Sequence, residues 1–409
     1  MFSVNNFYDY LTHKYSMPTE SSNLVYKFET DGSRDLYELV PTIDKQLFEH
    51  IVLDNGDITK FFGGIFLFDQ EPLTLDTYDF YKIPYSKLVD HKLYLEHFSK
   101  VEYILMHLSR MHTPIICHSE QNSKDIDFLT SNGILEVYYW YHGLISRDWF
   151  RHWKHYTPLK GPKKRFGCYV RDTSGTRKYR QHVLDFIQEQ PNIYCPILEG
   201  NLNIDSNASA RIDWNDTKKF DIQIVAETLF ETDKIYLTEK VFKPIVMFQP
   251  FLLFGPPNSL QYIRAYGFET YHSIWDESYD QITDHQKRLQ KLTNLIQEIN
   301  SLSESDYQYM IEQSRAITEY NQQHFFSEEF ERILTDELHI NFSHAIKQQQ
   351  INFSQDPGGH FFEYLDNLYR RSCNIGNNVR RVQDIFAYSK EKYPNVYNQL
   401  LDRYIHLLK

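Results

Sequence analysis

Short apolar runs closed by polar clusters alternate along this chain with stretches of three-to-four spacing, the pattern of strands interleaved with helices. In the first part the runs are Ile65-Phe66-Leu67-Phe68, Tyr103-Ile104-Leu105-Met106, Ile115-Ile116-Cys117 and Val137-Tyr138-Tyr139-Trp140. Three of them lead into polar clusters: Asp69-Gln70-Glu71-Pro72, His118 to Ser123, and His142-Gly143. Further on, Phe166 to Val170 reads as a strand, RDTSGT as a turn, and Arg177 to Gln188 as a helix carrying Val183, Leu184 and Ile187. Ile222, Ile224 and Val225 predict a buried strand, and Pro250 to Phe254 another, ending in the turn Gly255-Pro256-Pro257-Asn258. Leu289, Leu292, Ile296 and Ile299 keep helical spacing within a helical region 282–345, loosely continued by Phe325, Phe326, Phe330 and Ile333. A Pro-Gly-Gly break at 357–359 precedes two more helical stretches. The fold class expected is α/β.

The Pro, Gly and Lys content between Tyr156 and Arg165 is that of an exposed linker and sets a domain boundary. The expected organisation is an α/β domain over 1–155, a second α/β domain over 156–345 and a helical extension over 346–409. A chain of 409 residues suffices for two ordinary cores. Hydrophobic content of 41% and aromatic content of 16% argue that it folds throughout. The 31 Tyr and 29 Phe are chiefly core, although some could line a sugar-binding cleft. Cys117, Cys168, Cys195 and Cys373 are widely spaced and fit free thiols in a reducing compartment. No stretch approaches a membrane span, and the N-terminal residues lack the form of a signal peptide, so a cytoplasmic protein is expected.

Charge changes the picture locally. Between Arg147 and Arg180 eleven Lys and Arg face only Asp148 and Asp172, a local +9 in a chain whose formal net charge is −12. Such a run is either a solvated face or a polyanion site for a nucleotide diphosphate or a nucleic-acid backbone.

The densest chemistry lies between Asp221 and Gly255. The strand at Ile222 ends in an acidic turn with Glu227 and Glu231, and Tyr236-Leu237-Thr238-Glu239-Lys240 then opens a new element. Thr238 fits a helix N-cap, whose hydroxyl accepts from a first-turn amide. Lys240 would sit in that first turn, where amides and dipole already favour an anion. Glu239 beside it could accept two ribose hydroxyls. The plain alternative is a capped helix whose Glu and Lys are solvated. Glu231 and Glu239 are separated by seven residues, the E-x7-E spacing of many sugar-nucleotide transferases, and strand, acidic loop, helix and strand fit one βαβ unit.

Across 220–258 this pattern resembles the donor-binding region of α-1,3-fucosyltransferases, where a Phe-Glu-Asn turn precedes Tyr-Ile/Val-Thr-Glu-Lys, a strand and a Gly-Pro/Ser loop. Here Ala226-Glu227-Thr228 stands in place of the first motif. The resemblance implies a divergent, phage-type glycosyltransferase of GT-B architecture, with two Rossmann-like domains facing a cleft. It implies that Tyr236 contacts the nucleotide, Glu239 the ribose and Lys240 the diphosphate. The strand, basic turn and helix over 164–187 resemble the first unit of that donor domain more weakly, with Arg171 and Lys178 facing the diphosphate. Arg177, Lys178 and Arg180 would otherwise lie on the wet side of an amphipathic helix, the preferred reading for Arg180.

In such a transfer Lys240 and Arg171 would neutralise the leaving diphosphate electrostatically, so no metal or other cofactor is expected. Asp125-Ile126-Asp127 has the form of a metal-binding DxD but falls at an expected helix start. Inversion needs a carboxylate base in the first domain, and Glu71, held by Pro72, leads Asp69 and Glu120. Asp69 or Glu71 could instead cap a helix or bond turn amides. His118 and His142 are acceptor-side candidates or structural residues. Retention would need no base and would turn Glu231 to the sugar ring. Asp276 and Glu277 either bind sugar hydroxyls or form the acidic start of the helix near Ile282, the preferred reading. The co-substrate expected is a nucleotide-diphosphate sugar, and the acceptor a glycan, lipopolysaccharide or hydroxymethylated pyrimidine in phage DNA. A non-catalytic nucleotide- or carbohydrate-binding module is the rival from another class. An oxidoreductase is disfavoured because no GxGxxG occurs. The C-terminal helices could cross back to the first domain or form a dimer surface.

Overall fold

The structure, a computed structural model, describes residues 120–132, 163–200, 218–356 and 379–405, together with the strand segments 25–29, 35–39, 65–69, 115–118 and 136–139 and scattered positions between 72 and 362. It contains two compact units: residues 120–123 with 141–337, and residues 2–119 with 124–140 and 338–409.

The second of these holds a five-stranded mixed sheet. Its strands are β1 (Val25–Glu29), β2 (Asp35–Leu39), β3 (Ile65–Asp69), β4 (Ile115–His118) and β5 (Glu136–Tyr139), in that spatial order. β1, β2 and β3 pair antiparallel, and β3, β4 and β5 pair parallel. The apolar runs at 65, 115 and 137 are therefore strands as the alternation predicts. β1 and β2 went unread because VYKFE and DLYEL mix charge into each strand; the Asp31-Gly32 between them was the available hairpin signal. Helix α1 (Lys124–Ser131) takes up Asp125 and Asp127 in its first turn, as expected of a helix start. The run at Tyr103–Met106 lies outside the described residues.

The other unit is built on a four-stranded, wholly parallel sheet of β6 (Lys164–Cys168), β7 (Ile193–Tyr194), β8 (Phe220–Ala226) and β9 (Phe251–Phe254). The spatial order is β7-β6-β8-β9. The chain leaves β6 for one side of the sheet and returns on the other as β8, so the order reverses between these two strands. Such a switch point opens a crevice at the carboxyl ends of the strands. From Ile222 to Ala226 every residue of β8 is buried, the continuous pattern of a strand covered on both faces. Gly167 permits this closeness, since a Cβ there would stand 2.2 Å from the Phe220 ring.

Helix α2 (Tyr179–Gln188) follows β6 after a 3-10 turn and buries Tyr179, Val183, Leu184 and Ile187 along one stripe. Between β8 and β9 stand a 3-10 turn (Glu239–Val241) and the short α3 (Phe242–Val246), and α4 (Ser259–Ala265) follows β9. Three long helices complete the run: α5 (His285–Ser301), α6 (Glu304–Phe325) and α7 (Glu328–Gln355). Leu292, Ile296 and Ile299 are buried as their spacing predicts, and so are Phe325 and Phe330. Asp284 caps α5 through the amides of Gln286 and Lys287. After the Pro-Gly-Gly break, α8 (Val379–Lys392) and α9 (Pro394–Tyr404) pair, with Phe386 edge-on to Tyr397 at 6.2 Å. Among the described residues no helix is long and apolar enough to cross a membrane.

Candidate functional site

The loop leaving β8 is the most tightly wired part of the sheet's carboxyl edge. Glu227, the residue after β8, is fully buried, and its carboxylate accepts from the Thr238 amide (3.2 Å), the Thr238 hydroxyl (2.8 Å) and the Thr228 amide (3.2 Å). Burial pushes its carboxyl above the ordinary range, partly offset by Lys240. Glu227 therefore acts as a brace: it fixes the end of the strand to the Thr-Glu-Lys turn eleven residues later. It is not placed as a ligand-binding carboxylate.

Thr238 caps that turn as the sequence predicts, its hydroxyl accepting from the Lys240 amide at 3.3 Å. What it caps is a 3-10 turn of three residues, Glu239–Val241, running into the five-residue α3. The longer helix expected to supply a dipole is absent, so anion attraction here must come from side chains. Lys240 Nζ donates to Thr238 Oγ1 at 3.0 Å and to Glu239 Oε1 at 3.1 Å. An ammonium has three donors, and among the described residues the third has no acceptor. The Lys240 side chain is 26% exposed, that of Glu239 only 6%. The lysine is thus open to an incoming anion, whereas the glutamate reaches a ligand only by exchanging partners.

Lys243 completes a compact group of charges. It lies four residues beyond Glu239, one helical turn on, and is buried. Burial pulls it down to about 7; Glu239 opposes that fall and Lys240 adds to it. Sequence reasoning passed over Lys243, although the Glu-to-Lys spacing of four in Glu239-Lys240-Val241-Phe242-Lys243 was a readable signal.

The loop leaving β6 differs in kind. Arg171 and Lys178 are exposed, and neither side chain has a hydrogen-bond or ion-pair partner among the described residues. Between them Asp172 accepts from the Ser174 amide at 2.9 Å and faces Arg177 at 3.4 Å. Partial burial lifts its carboxyl, but the Ser174 bonds, Arg177 and Arg180 outweigh that and hold it below the usual range. Arg180 departs from the wet-face expectation. It is buried, donating to the carbonyls of Asp172 (3.0 Å), Ala226 (2.9 Å) and Glu227 (2.8 Å). It ties the ends of β6 and β8 together across the switch point.

The other expected site residues are dispersed. Tyr236 is 1% exposed, so its ring belongs to the core and offers no face to a nucleotide. Glu231 is exposed and lines a groove of about 460 Å³ between α2 and α5. Glu120 is buried and ion-paired with Lys234 at 3.3 Å. The adjoining Gln121 exchanges backbone bonds with Ile235 at 3.0 and 2.9 Å, so Glu120 anchors this segment instead of standing free as a base. Asp69 closes β3 opposite Asp35, and His118 closes β4 opposite Phe68 and Tyr139. Glu71 and His142 lie outside the described residues.

Three further acidic positions prove structural. Asp280 accepts from the amides of Leu260 (2.9 Å) and Gln261 (3.2 Å), so the start of α4 after the Gly-Pro-Pro turn is already capped. Glu277 accepts from the Tyr271 amide and the Thr270 hydroxyl, both at 2.6 Å, while Asp276 pairs with Lys291 at 2.6 Å. These carboxylates brace the turn before α5; they are not its first turn.

Most of the described charge in the basic stretch is engaged internally. Arg165 caps the carboxyl end of α5 through the carbonyls of Ile299 (2.7 Å), Asn300 (3.0 Å) and Leu302 (2.9 Å). Arg147 reaches Phe325 O, Ser327 O and Glu331, Lys163 pairs with Asp221, and Lys164 with Glu199. Lys154, Arg171 and Lys178 are the exposed remainder among the described residues. Against protein-family models, curated proteins and solved structures this chain gives no match.

Proposed function

We propose that this protein transfers a sugar from a nucleotide-diphosphate donor to an acceptor hydroxyl, holding the diphosphate at the carboxyl edge of the parallel sheet. The observation that carries this reading is that two cationic loops leave the adjacent parallel strands β6 and β8 at the same edge of the sheet. Among the described residues Lys240 follows β8 with an open donor and Arg171 and Lys178 follow β6 unpartnered, and α/β sheets of this order bind ligands there. Cations so placed stabilise a departing diphosphate by charge, the role required of a leaving-group site. Glu239, once exchanged from Lys240, is the ribose ligand of this reading. The GT-B architecture and the absence of a metal requirement belong to the same proposal.

The test is a thermal-shift panel of GDP-, UDP-, ADP- and CMP-linked sugars with the full chain. A ligand held only by the folded state at a hundred times its dissociation constant adds about 2.7 kcal/mol, a readable shift. One nucleotide class should stabilise the protein, and Lys240→Ala should weaken that binding at least tenfold, measured at a temperature where the variant is folded. No shift with any of the four at millimolar concentration would overturn the proposal. Activity on hydroxymethylated DNA that collapses with added salt would identify the acceptor as nucleic acid.

A further inference from the structure

The groove between α2 and α5 is not used by the donor reading, and its lining has a chemistry of its own. Tyr179, His182 and Phe186 come from one face of α2, and residues of α5 at and beyond His285 form the facing wall. The loop after β8 closes one end with Phe230 and Glu231. At its base Tyr179 and Phe230 stack at 4.6 Å, and the Arg288 guanidinium lies 4.5 Å from the Phe230 ring centroid. The Arg288 guanidinium is itself turned inward, donating to the carbonyls of Gly255, Phe230, Ile282 and Thr283.

What the described lining offers to a ligand is polar and holds neither Lys nor Arg. Amides of Gln290 and Gln297 stand along α5, and Gln290 donates to Asn294 at 2.7 Å, which leaves its amide oxygen as an acceptor. Imidazoles of His182 and His285 and the carboxylate of Glu231 add directional partners. Among the described lining residues there is no Lys or Arg, and an entering phosphate or carboxylate would stand beside Glu231. Half-buried Phe186 and Leu289 supply flat apolar surface between these polar groups. Amide and carboxylate acceptors that alternate with apolar surface suit a ligand with hydroxyls on its rim and C–H groups on its faces. The volume, about 460 Å³, lies within the range of small-ligand sites.

We infer that this groove binds a short neutral oligosaccharide and, resting on the glycosyltransferase reading above, that the oligosaccharide is part of the acceptor. Tyr179 links it to the donor edge, since its hydroxyl donates at 2.6 Å to the carbonyl of Glu227, the residue that braces the Thr-Glu-Lys turn.

The experiment is isothermal titration of the full chain with four neutral tetrasaccharides: cellotetraose, maltotetraose, chitotetraose and mannotetraose. A hyaluronan tetrasaccharide and a DNA dodecamer serve as anionic controls. At least one neutral glycan should bind, and Leu289→Trp, which fills the groove, should weaken it at least tenfold. Gln297→Ala, on an exposed position that leaves folding intact, should weaken the same glycan about threefold. Binding by none of the four at millimolar concentration overturns the inference, as does binding indifferent to both substitutions or preference for either anionic control. If the glycan binds but no nucleotide sugar shifts the melting temperature, the groove stands and the transferase reading falls. If the nucleotide sugar binds and no glycan does, the reverse holds.

Discussion

The two loops that leave the sheet at its switch point are built on opposite principles. After β8, Glu227, Thr238, Glu239, Lys240 and Lys243 are wholly or largely buried and joined by bonds or by charge. After β6, Arg171 and Lys178 project without partners among the described residues, and only Asp172, Arg177 and Arg180 are held. A wired loop keeps its geometry before any ligand arrives, whereas an open cationic loop contributes attraction but little orientation. The difference assigns precision to one side of the crevice and charge to the other. Stability and ligand affinity should therefore respond to substitutions in the two loops in opposite proportions.

The largest effect should come from the brace. Glu227→Ala removes three accepted hydrogen bonds and leaves the Thr238 hydroxyl and two amides without that acceptor in a buried place. Loss of about 3 kcal/mol in unfolding free energy is expected, read by urea denaturation. Glu227→Gln, which retains one acceptor oxygen, should fall between that variant and the parent. A loss below about 1 kcal/mol for the alanine variant would mean that the turn does not depend on its brace, and the contrast between the loops would fail.

Lys243 gives a pH-dependent version of the same test. Its folded pKa of about 7 lies below the 10.5 of the unfolded chain, so between these values the unfolded state holds a proton that the folded state has lost. Stability from this group therefore rises with pH across that window, by up to about 1.4 kcal/mol per pH unit. Lys243→Met removes the titrating group. The variant should be more stable than the parent at pH 7, and the margin should shrink towards pH 9. A margin that stays constant over that interval would show that the ammonium is not desolvated in the folded protein.

These residues also show how far a sequence carries. β3, β4 and β5, the strands at 166, 222 and 251, and the helices from 285 onward follow from alternation and three-to-four spacing, because burial enforces those periods. The Thr238 cap was legible for the same local reason. Arg180 was not, since nothing within a basic run marks the one side chain that turns inward to the carbonyls of Ala226 and Glu227. Glu227 and Glu120 looked like chemistry in the sequence because carboxylates at strand ends serve both as ligands and as braces. Only the distance from Glu227 to Thr238, or the ion pair of Glu120 with Lys234, separates the two roles. Tyr236 failed as a nucleotide contact for a related reason: its neighbours Ile235 and Leu237 are also buried, so the whole segment enters the core before the turn emerges at Lys240.

The smallest change in stability, and the sharpest separation from it, belongs to the open loop. Arg171→Ala with Lys178→Ala removes two exposed side chains that touch no described partner, so the unfolding free energy should stay within about 0.5 kcal/mol of the parent. Under the proposed function the same pair of substitutions should weaken a nucleotide diphosphate about tenfold, equivalent to about 1.4 kcal/mol. The remaining affinity should depend less on salt, because exposed charges are screened within about 10 Å at 0.1 M ionic strength. Titration of the stabilising nucleotide at low and high salt reads both quantities. Unchanged affinity would leave Lys240 as the lone cation of the site and would move the β6 loop out of the donor crevice. An unfolding free energy lowered by several kcal/mol would instead show that Arg171 or Lys178 is held by the fold, and the division between a wired loop and an open one would be lost.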